Sequence, residues 1–588
     1  MTPYRSATTP LSISTLLVMV LLAASCSTGK SPVAEATSEP RGNETPGANP
    51  ATPGAEEIEW GGCASEMAAS AQLQCGTLEV PTDHDSLDGG TTELELARSR
   101  STGSAEDKIG SLLINPGGPG GSGIEALAGL SLVLPEELQS SFDLVSWDPR
   151  GVAESSPVVC LSDQEKDEQL EGDISPDNPE AFDRAVEDQE QLREACETNN
   201  PDIIEHMSTA DVAADLDLIR SALGDDELNY LGFSYGTAIG AAYATMFPDN
   251  TRALVLDGAV SPNATDLEAS VEQAQGFENT YQNFLTACST DPECALGSDP
   301  GAVVDATRER LETEPLTVKT SSGTRELTRD LFDLGLATSL YDTSLWGMSA
   351  RAIANLDDGG GAVTLAFADN QVGREPDGSW DNSGDAQIMV SCADSTERPT
   401  IAQATENAGA LAAASPTFGE AFATSALGCV DWPLAVNPTP QFSGTGADPL
   451  LVIGTIGDPA TPYHWSEEME ESLESAELLT YEGDGHTAFT RGGPCIDDAV
   501  VDYFINLTMP TGLTCEAQTS AISFEGIRGL FLDEFESAGI PISTAECITG
   551  GVIEELGESQ MELALIQGDT DLFTGVIQEK TIECMSGG

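Results

Sequence analysis

Short apolar runs alternating with amphipathic stretches constrain this chain more than any other feature. Leu94–Ala97, Ser111–Ile114, Leu144–Trp147, Leu228–Phe233, Ala253–Leu256, Leu450–Ile453 and Leu478–Tyr481 read as strands. Between several of them lie stretches such as Thr209–Leu223, where Val212, Leu216, Ile219 and Leu223 recur at helical spacing. Strands that alternate with helices predict an α/β fold, a mostly parallel sheet covered on both faces. The alternation breaks between about Pro262 and Asp448, where the pattern is largely helical, as in Ala269–Cys288 and Leu331–Leu356. An insertion of this size, late in a sheet protein, is expected to cap one edge. The predicted division is a core of 59–262 and 448–520, a helical cap of 263–447, and a small helical module of 521–588.

The N-terminus sets the compartment. Arg5 precedes an apolar run from Leu11 to Ala24, and the run ends in Leu22-Ala23-Ala24-Ser25-Cys26. A charged start, a short apolar stretch and small residues describe a secretory signal. The stretch falls short of the roughly 20 apolar residues a membrane span needs. Cys26 after small residues resembles a bacterial lipoprotein signal, in which that Cys is lipidated and becomes the new N-terminus. Plain secretion and an uncleaved anchor are the alternatives. Residues 27–58, rich in Ser, Thr, Pro, Gly, Ala and Glu, read as a flexible tether.

Cysteine parity agrees with export: of 13 Cys, 12 remain without Cys26, an even number suited to an oxidising compartment. No CxxC pair exists, which disfavours zinc or thioredoxin-like chemistry, and no metal or cofactor is expected. Sequence cannot fix connectivity; neighbour pairing would give Cys63–Cys75, Cys160–Cys196, Cys288–Cys294, Cys392–Cys429, Cys495–Cys515 and Cys547–Cys584. With 23 Lys+Arg against 99 Asp+Glu, the net charge is −76. That balance argues against a nucleic-acid partner and against electrostatic attachment to anionic lipid, leaving the N-terminal lipid as the membrane contact. It fits a high-salt habitat or an acidic secreted protein.

The chemistry centres on Gly232-Phe233-Ser234-Tyr235-Gly236, between the strand Leu228–Leu231 and the Ala-rich helical stretch Ala238–Phe247. A Ser on a sharp strand-to-helix turn needs Gly on both sides, and the turn lifts Oγ off the sheet. The pentapeptide alone is weak; its context makes it a candidate nucleophile. A base must follow. Of His84, His206, His464 and His486, only His486 lies just after the last apolar strand, where the order Ser, acid, His would put it. Asp458 follows the strand Leu450–Ile453 and is placed to accept the imidazole Nδ1 proton; Asp484 is the runner-up, too near His486 in sequence to face its ring. Asn115-Pro116-Gly117-Gly118-Pro119-Gly120 follows another strand and suits an oxyanion hole, with the amide of Gly118 paired to that of Tyr235. A phosphate loop is excluded, because no Gly-Lys-Ser/Thr ending is present.

Together these residues resemble the α/β-hydrolase group of prolyl iminopeptidases and actinobacterial tripeptidyl aminopeptidases, from about Ile58 to Cys515. The oxyanion motif, Trp147-Asp148-Pro149-Arg150-Gly151, Thr209-Ala210, Tyr230 to Thr237, Asp458 to Pro462 and Gly485-His486 carry the resemblance. Asn115 stands where the iminopeptidases usually have His. The resemblance implies a serine exopeptidase acting on free N-termini of peptides, with Ser234, Asp458 and His486 as its triad. It also implies cap carboxylates for the substrate α-ammonium, with Glu278 and Glu272 the nearest counterparts. An esterase with the same triad is the alternative, and a catalytically dead binding lipoprotein the third reading.

Overall fold

The computed structural model describes residues 58–86, 90–170, 179–517, 526, 528–529, 531–532, 535, 540–567 and 570–586. The signal and nearly all of the tether, with Cys26, lie outside them. All seven apolar runs lie in strands. The central sheet contains β1 (Gly61–Gly62), β2 (Gln74–Pro81), β3 (Thr91–Ser99), β4 (Gly110–Asn115), β5 (Phe142–Trp147), β6 (Leu228–Phe233) and β7 (Thr251–Asp257). After a separate hairpin, β8 (Leu316–Thr320) and β9 (Gly323–Leu327), it is completed by β10 (Leu451–Gly457), β11 (Glu477–Asp484) and β12 (Thr514–Glu516). Its order is β1-β2-β3-β5-β4-β6-β7-β10-β11-β12. From β5 to β12 neighbours run parallel, while β1, β2 and β3 add an antiparallel edge.

Side chains alternate between the two faces of the sheet, as strand geometry requires. Leu113, Val145, Tyr230, Leu254 and Val452 pack under α2 (Thr209–Leu223) and α3 (Gly236–Met246). Leu112, Leu144, Leu231, Val255 and Ile453 face the opposite layer, which includes α1 (Gly123–Val133) and α10 (Pro494–Asn506). Burying each such residue contributes about 1.5–3 kcal/mol. Ser208 begins α2 with a reciprocal capping box to Asp211, and Gly224 ends it in the left-handed conformation.

The long segment between β7 and β10 holds α4 (Asp266–Thr290), the β8–β9 hairpin, α5 (Arg329–Ser339), α6 (Trp346–Ala354), α7 (Gly360–Val372) and α8 (Ser383–Asp394). Two expectations differ here. The hairpin was hidden in a segment read as helical. The stretch Leu331–Leu356, helical in pattern, is broken at Leu340-Tyr341-Asp342, where Asp342 Oδ1 accepts from the Ser344 amide at 2.9 Å and starts a new turn. A further helix, α9 (Tyr463–Ser472), connects β10 to β11.

The C-terminal helices α11 (Ile542–Leu556), α12 (Glu558–Ile566) and α13 (Thr570–Ser586) share an apolar cluster with Met348, Ala352, Val363 and Phe367 of α6 and α7. The six neighbouring cysteine pairs form the six disulfides. Disulfides in that number mark an extracytoplasmic protein. Among the described residues no helix is long and apolar enough to cross a membrane.

Candidate active site

β6 is followed directly by Ser234, whose φ of +54° is the sparsely populated left-handed region for a residue with a side chain. Its amide donates to the Asp257 carbonyl at the end of β7, at 2.9 Å. The oxyanion loop lies directly over this turn. At Gly117, with φ of +96°, a Cβ would stand 2.5 Å from the Phe233 carbonyl oxygen and 2.9 Å from Ser234 Cβ. Only glycine fits there. Asn115 Oδ1 shapes the loop by accepting the Gly117 amide at 3.0 Å. Among the described residues, the amides of Gly118 and Tyr235 donate to no protein acceptor.

Asp458 and His486 meet directly. His486 Nδ1 lies 3.0 Å from both carboxylate oxygens of Asp458. The carboxylate also accepts the amides of Ala460 at 2.9 Å, Thr461 at 2.8 Å and Thr487 at 3.2 Å, and the Thr461 hydroxyl at 3.0 Å. Such a set of donors fixes the position and orientation of the carboxyl. Asp484 turns away and accepts from Asn283 of α4 at 2.6 Å, so it has no part in orienting His486. Ser234 and His486 both border the end of β7. A Cβ on Gly258 would sit 3.3 Å from His486 Cε1, one residue beyond the carbonyl that pins Ser234. Among the described residues no hydrogen bond joins the two side chains, a looseness common before substrate binds.

Two supports were not read from the sequence. Asp257 accepts the amides of Ala488 at 3.0 Å and Phe489 at 2.8 Å, and so fixes the loop that carries His486. Burial pushes its carboxyl up to about 6. Its position at a strand end, in step with Ser234 and Asp458, was the available signal. Tyr341, in the break between α5 and α6, accepts the His486 amide on its carbonyl at 2.7 Å and sets its ring edge-on to the imidazole at 5.4 Å. No sequence pattern marked it.

The carboxylates expected to hold a substrate ammonium are engaged elsewhere. Glu278 accepts from Ser415 Oγ at 2.7 Å, the Thr417 amide at 3.0 Å and Gln282 at 3.0 Å, all within the segment between β7 and β10. Glu272 accepts from Trp465 Nε1 at 2.6 Å and contacts His464 at 3.0 Å. It lines a cleft of about 630 Å³ that includes Asp458 and Asp484 but neither Ser234 nor His486. His84 contacts the buried Arg150–Asp215 pair instead.

A different acidic pair lies beside the oxyanion loop. Glu125 stands in the first turn of α1, just after that loop, and burial, with Asp148, Glu375 and Asp381 nearby, pushes its carboxyl well up. Glu375, beyond the end of α7, is 8% exposed, and its Oε1 has no hydrogen-bond partner among the described residues. Burial, with Asp381 and Asp377, raises it to about 8. A buried carboxyl without a counter-charge is costly unless something else supplies one. Among more than fifty glutamates and aspartates upstream of Glu375, nothing in the sequence singled these two out.

A parallel sheet with a strained Ser at one strand end and an Asp–His pair at two others defines a serine hydrolase of the α/β-hydrolase type. Known proteins place it further. A family model described as TAP-like protein matches residues 415–515. Serine protease Hip1 of Mycobacterium tuberculosis is 37% identical over 481 residues, 78% of this chain and 91% of the relative. Carboxylesterase B of the same species is 33% identical over 86% of this chain and 98% of its own length. Tripeptidyl aminopeptidase of Streptomyces lividans is 30% identical over 76% of this chain and 84% of its own length. The chain belongs to this TAP-like family of α/β-hydrolases.

Proposed function

We propose that this chain is a serine exopeptidase that removes short fragments from free peptide N-termini through an acyl-enzyme on Ser234. The observation that carries the reading is the Asp458–His486 contact at 3.0 Å, made at the strand ends where Ser234 is pinned. Ser234 Oγ attacks the scissile carbonyl carbon while His486 Nε2 takes its proton; Asp458 holds the opposite ring nitrogen and steadies the imidazolium. The amides of Gly118 and Tyr235 receive the oxyanion. His486 then gives its proton to the departing amine, and water repeats the cycle to free the acyl fragment.

The preference for a free N-terminus is supported by Glu125 and Glu375, whose missing counter-charge a substrate α-ammonium would supply. It is also supported by the family, one of whose members is named for tripeptidyl aminopeptidase activity. We assign Cys26 as the lipidation site that tethers the mature protein outside the cytoplasmic membrane; radiolabelled lipid should be incorporated into the full chain and lost in Cys26→Ala.

Mass spectrometry of products from free and N-acetylated peptides tests the activity, with Ser234→Ala as control. N-terminal fragments should appear from the free peptides alone and vanish in the variant. Rapid ester turnover with no peptide cleavage would replace this reading with an esterase, in keeping with the relative named carboxylesterase B.

A further inference from the structure

The side chain of Tyr235 has no place in the triad, yet it is tethered more firmly than the nucleophile beside it. Its Oη is hydrogen-bonded to Thr209 Oγ1. Thr209 Oγ1 in turn donates to Asp394 Oδ2 at 2.6 Å, and the Thr209 amide donates to Oδ1 at 2.7 Å. Thr439 Oγ1 adds a third donor to Asp394, at 2.6 Å. A threonine hydroxyl has one proton, and here it goes to the carboxylate, so the phenol is the donor to Thr209. The result is a directed chain from Tyr235 through Thr209 to Asp394.

Asp394 is the last residue of α8, a helix of the cap. The other end of that helix reaches the second half of the oxyanion hole. A Cβ on Gly120 would lie 2.3 Å from the Ser383 carbonyl oxygen, so the glycine loop is in close contact with the first turn of α8. Asn382, just before the helix, accepts the Ala153 amide at 2.9 Å and donates to the carbonyls of Gly151 at 2.8 Å and Val158 at 2.9 Å. One cap helix is therefore fastened to the core at both ends. It touches the Gly118 loop at one end and the Tyr235 ring, through Thr209, at the other.

We infer that α8 is the brace of the oxyanion hole, with Asp394, through Thr209, the positioning residue that aims the Tyr235 amide. The inference rests on Ser234 as nucleophile. Tyr235 follows Ser234 directly, and Ser234 is held in a strained conformation; a loosened ring lets that turn relax and swings the amide off the developing charge.

The test compares Tyr235→Phe, Thr209→Val, Thr209→Ser and Asp394→Asn, with peptide and ester substrates and a fluorophosphonate probe. Tyr235→Phe and Thr209→Val should each lower kcat about tenfold on both substrates, part of the hundredfold or more that losing such a donor outright costs. KM should stay within about twofold, since the ground-state carbonyl makes weaker use of the hole. Thr209→Ser keeps the hydroxyl and should restore kcat. The Tyr235→Phe/Thr209→Val double variant should be no slower than the slower single one, because both cut the same chain. Wild-type kcat and probe-labelling rate in Tyr235→Phe would overturn the inference, as would losses that multiply in the double variant. If Asp394→Asn fails to fold, the substitutions at 235 and 209 still decide. Failure of the probe to label Ser234 in the unmodified protein would instead remove the nucleophile assignment, and the inference with it.

Discussion

Asp458 is surrounded by donors. Three amides and a hydroxyl point at its two oxygens, and His486 Nδ1 takes what remains. Asp458→Asn keeps the shape but must turn its NH2 toward one of those donors or toward the imidazole, which forces the wrong tautomer on His486. We expect kcat to fall about 10⁴-fold with the melting temperature little changed, measured by steady-state kinetics alongside thermal unfolding. At Glu375 the expected loss is of another kind. Glu375→Gln removes the carboxyl that would ionise against a substrate ammonium, one whose Oε1 has no partner among the described residues. KM for a free peptide should rise about tenfold and kcat should hold, while an uncharged ester substrate is unaffected; an equal loss on both substrates would remove the ammonium role. These two residues also mark the limit of what the sequence discloses. Asp458 is legible because a strand end and the order of the triad pick it out from its many acidic rivals. Glu375 stands out only through its burial beyond the end of α7, which no sequence pattern marks.

Strands and their order of appearance were readable because a buried parallel strand is a short apolar run with polar ends. The strand β2 escaped because it alternates, with Gly76, Thr77, Glu79 and Pro81 among its apolar positions. The break at Tyr341 escaped for a different reason. Its neighbours satisfy helical spacing on both sides, while at the break itself Asp342 caps a new turn and Tyr341 meets the His486 loop. The C-terminal module was readable as amphipathic helices, but its docking site was not. It packs on α6 and α7 through an apolar cluster and through a buried ion pair, Arg351 Nε to Glu562 Oε1 at 2.7 Å. Arg351→Met leaves Glu562 buried without its counter-charge. The expected cost is about 3 kcal/mol or more, seen in denaturant unfolding, and Arg351→Met/Glu562→Met should recover most of it. If the single variant unfolds like the unmodified protein, the ion pair contributes nothing to holding the C-terminal helices on α6 and α7.

For the molecule as a whole, charge and burial act on stability in the same direction. Burial pushes Glu375 up to about 8, Glu95 to about 7, and Asp148, Asp257 and Asp333 to about 6. Unfolded, these carboxyls ionise near 4. Between about pH 4 and 8 the folded state therefore holds more protons, and their contribution to stability is full below that window and lost as pH rises through it. Asp143 and Asp215, held low despite burial by Lys108 and Arg150 respectively, act oppositely, but their contribution is lost only as pH falls below the ordinary carboxylate range. A net charge of −76 adds self-repulsion, which also grows with pH. The melting temperature should therefore be higher at about pH 5.5 than at about pH 8. Salt separates the two causes, because about 1 M salt screens surface repulsion to a few ångströms yet reaches buried carboxyls poorly. The pH gap should shrink in high salt and persist in part. Complete loss of the gap would assign it to surface charge alone, and a melting temperature that rises with pH would contradict both causes.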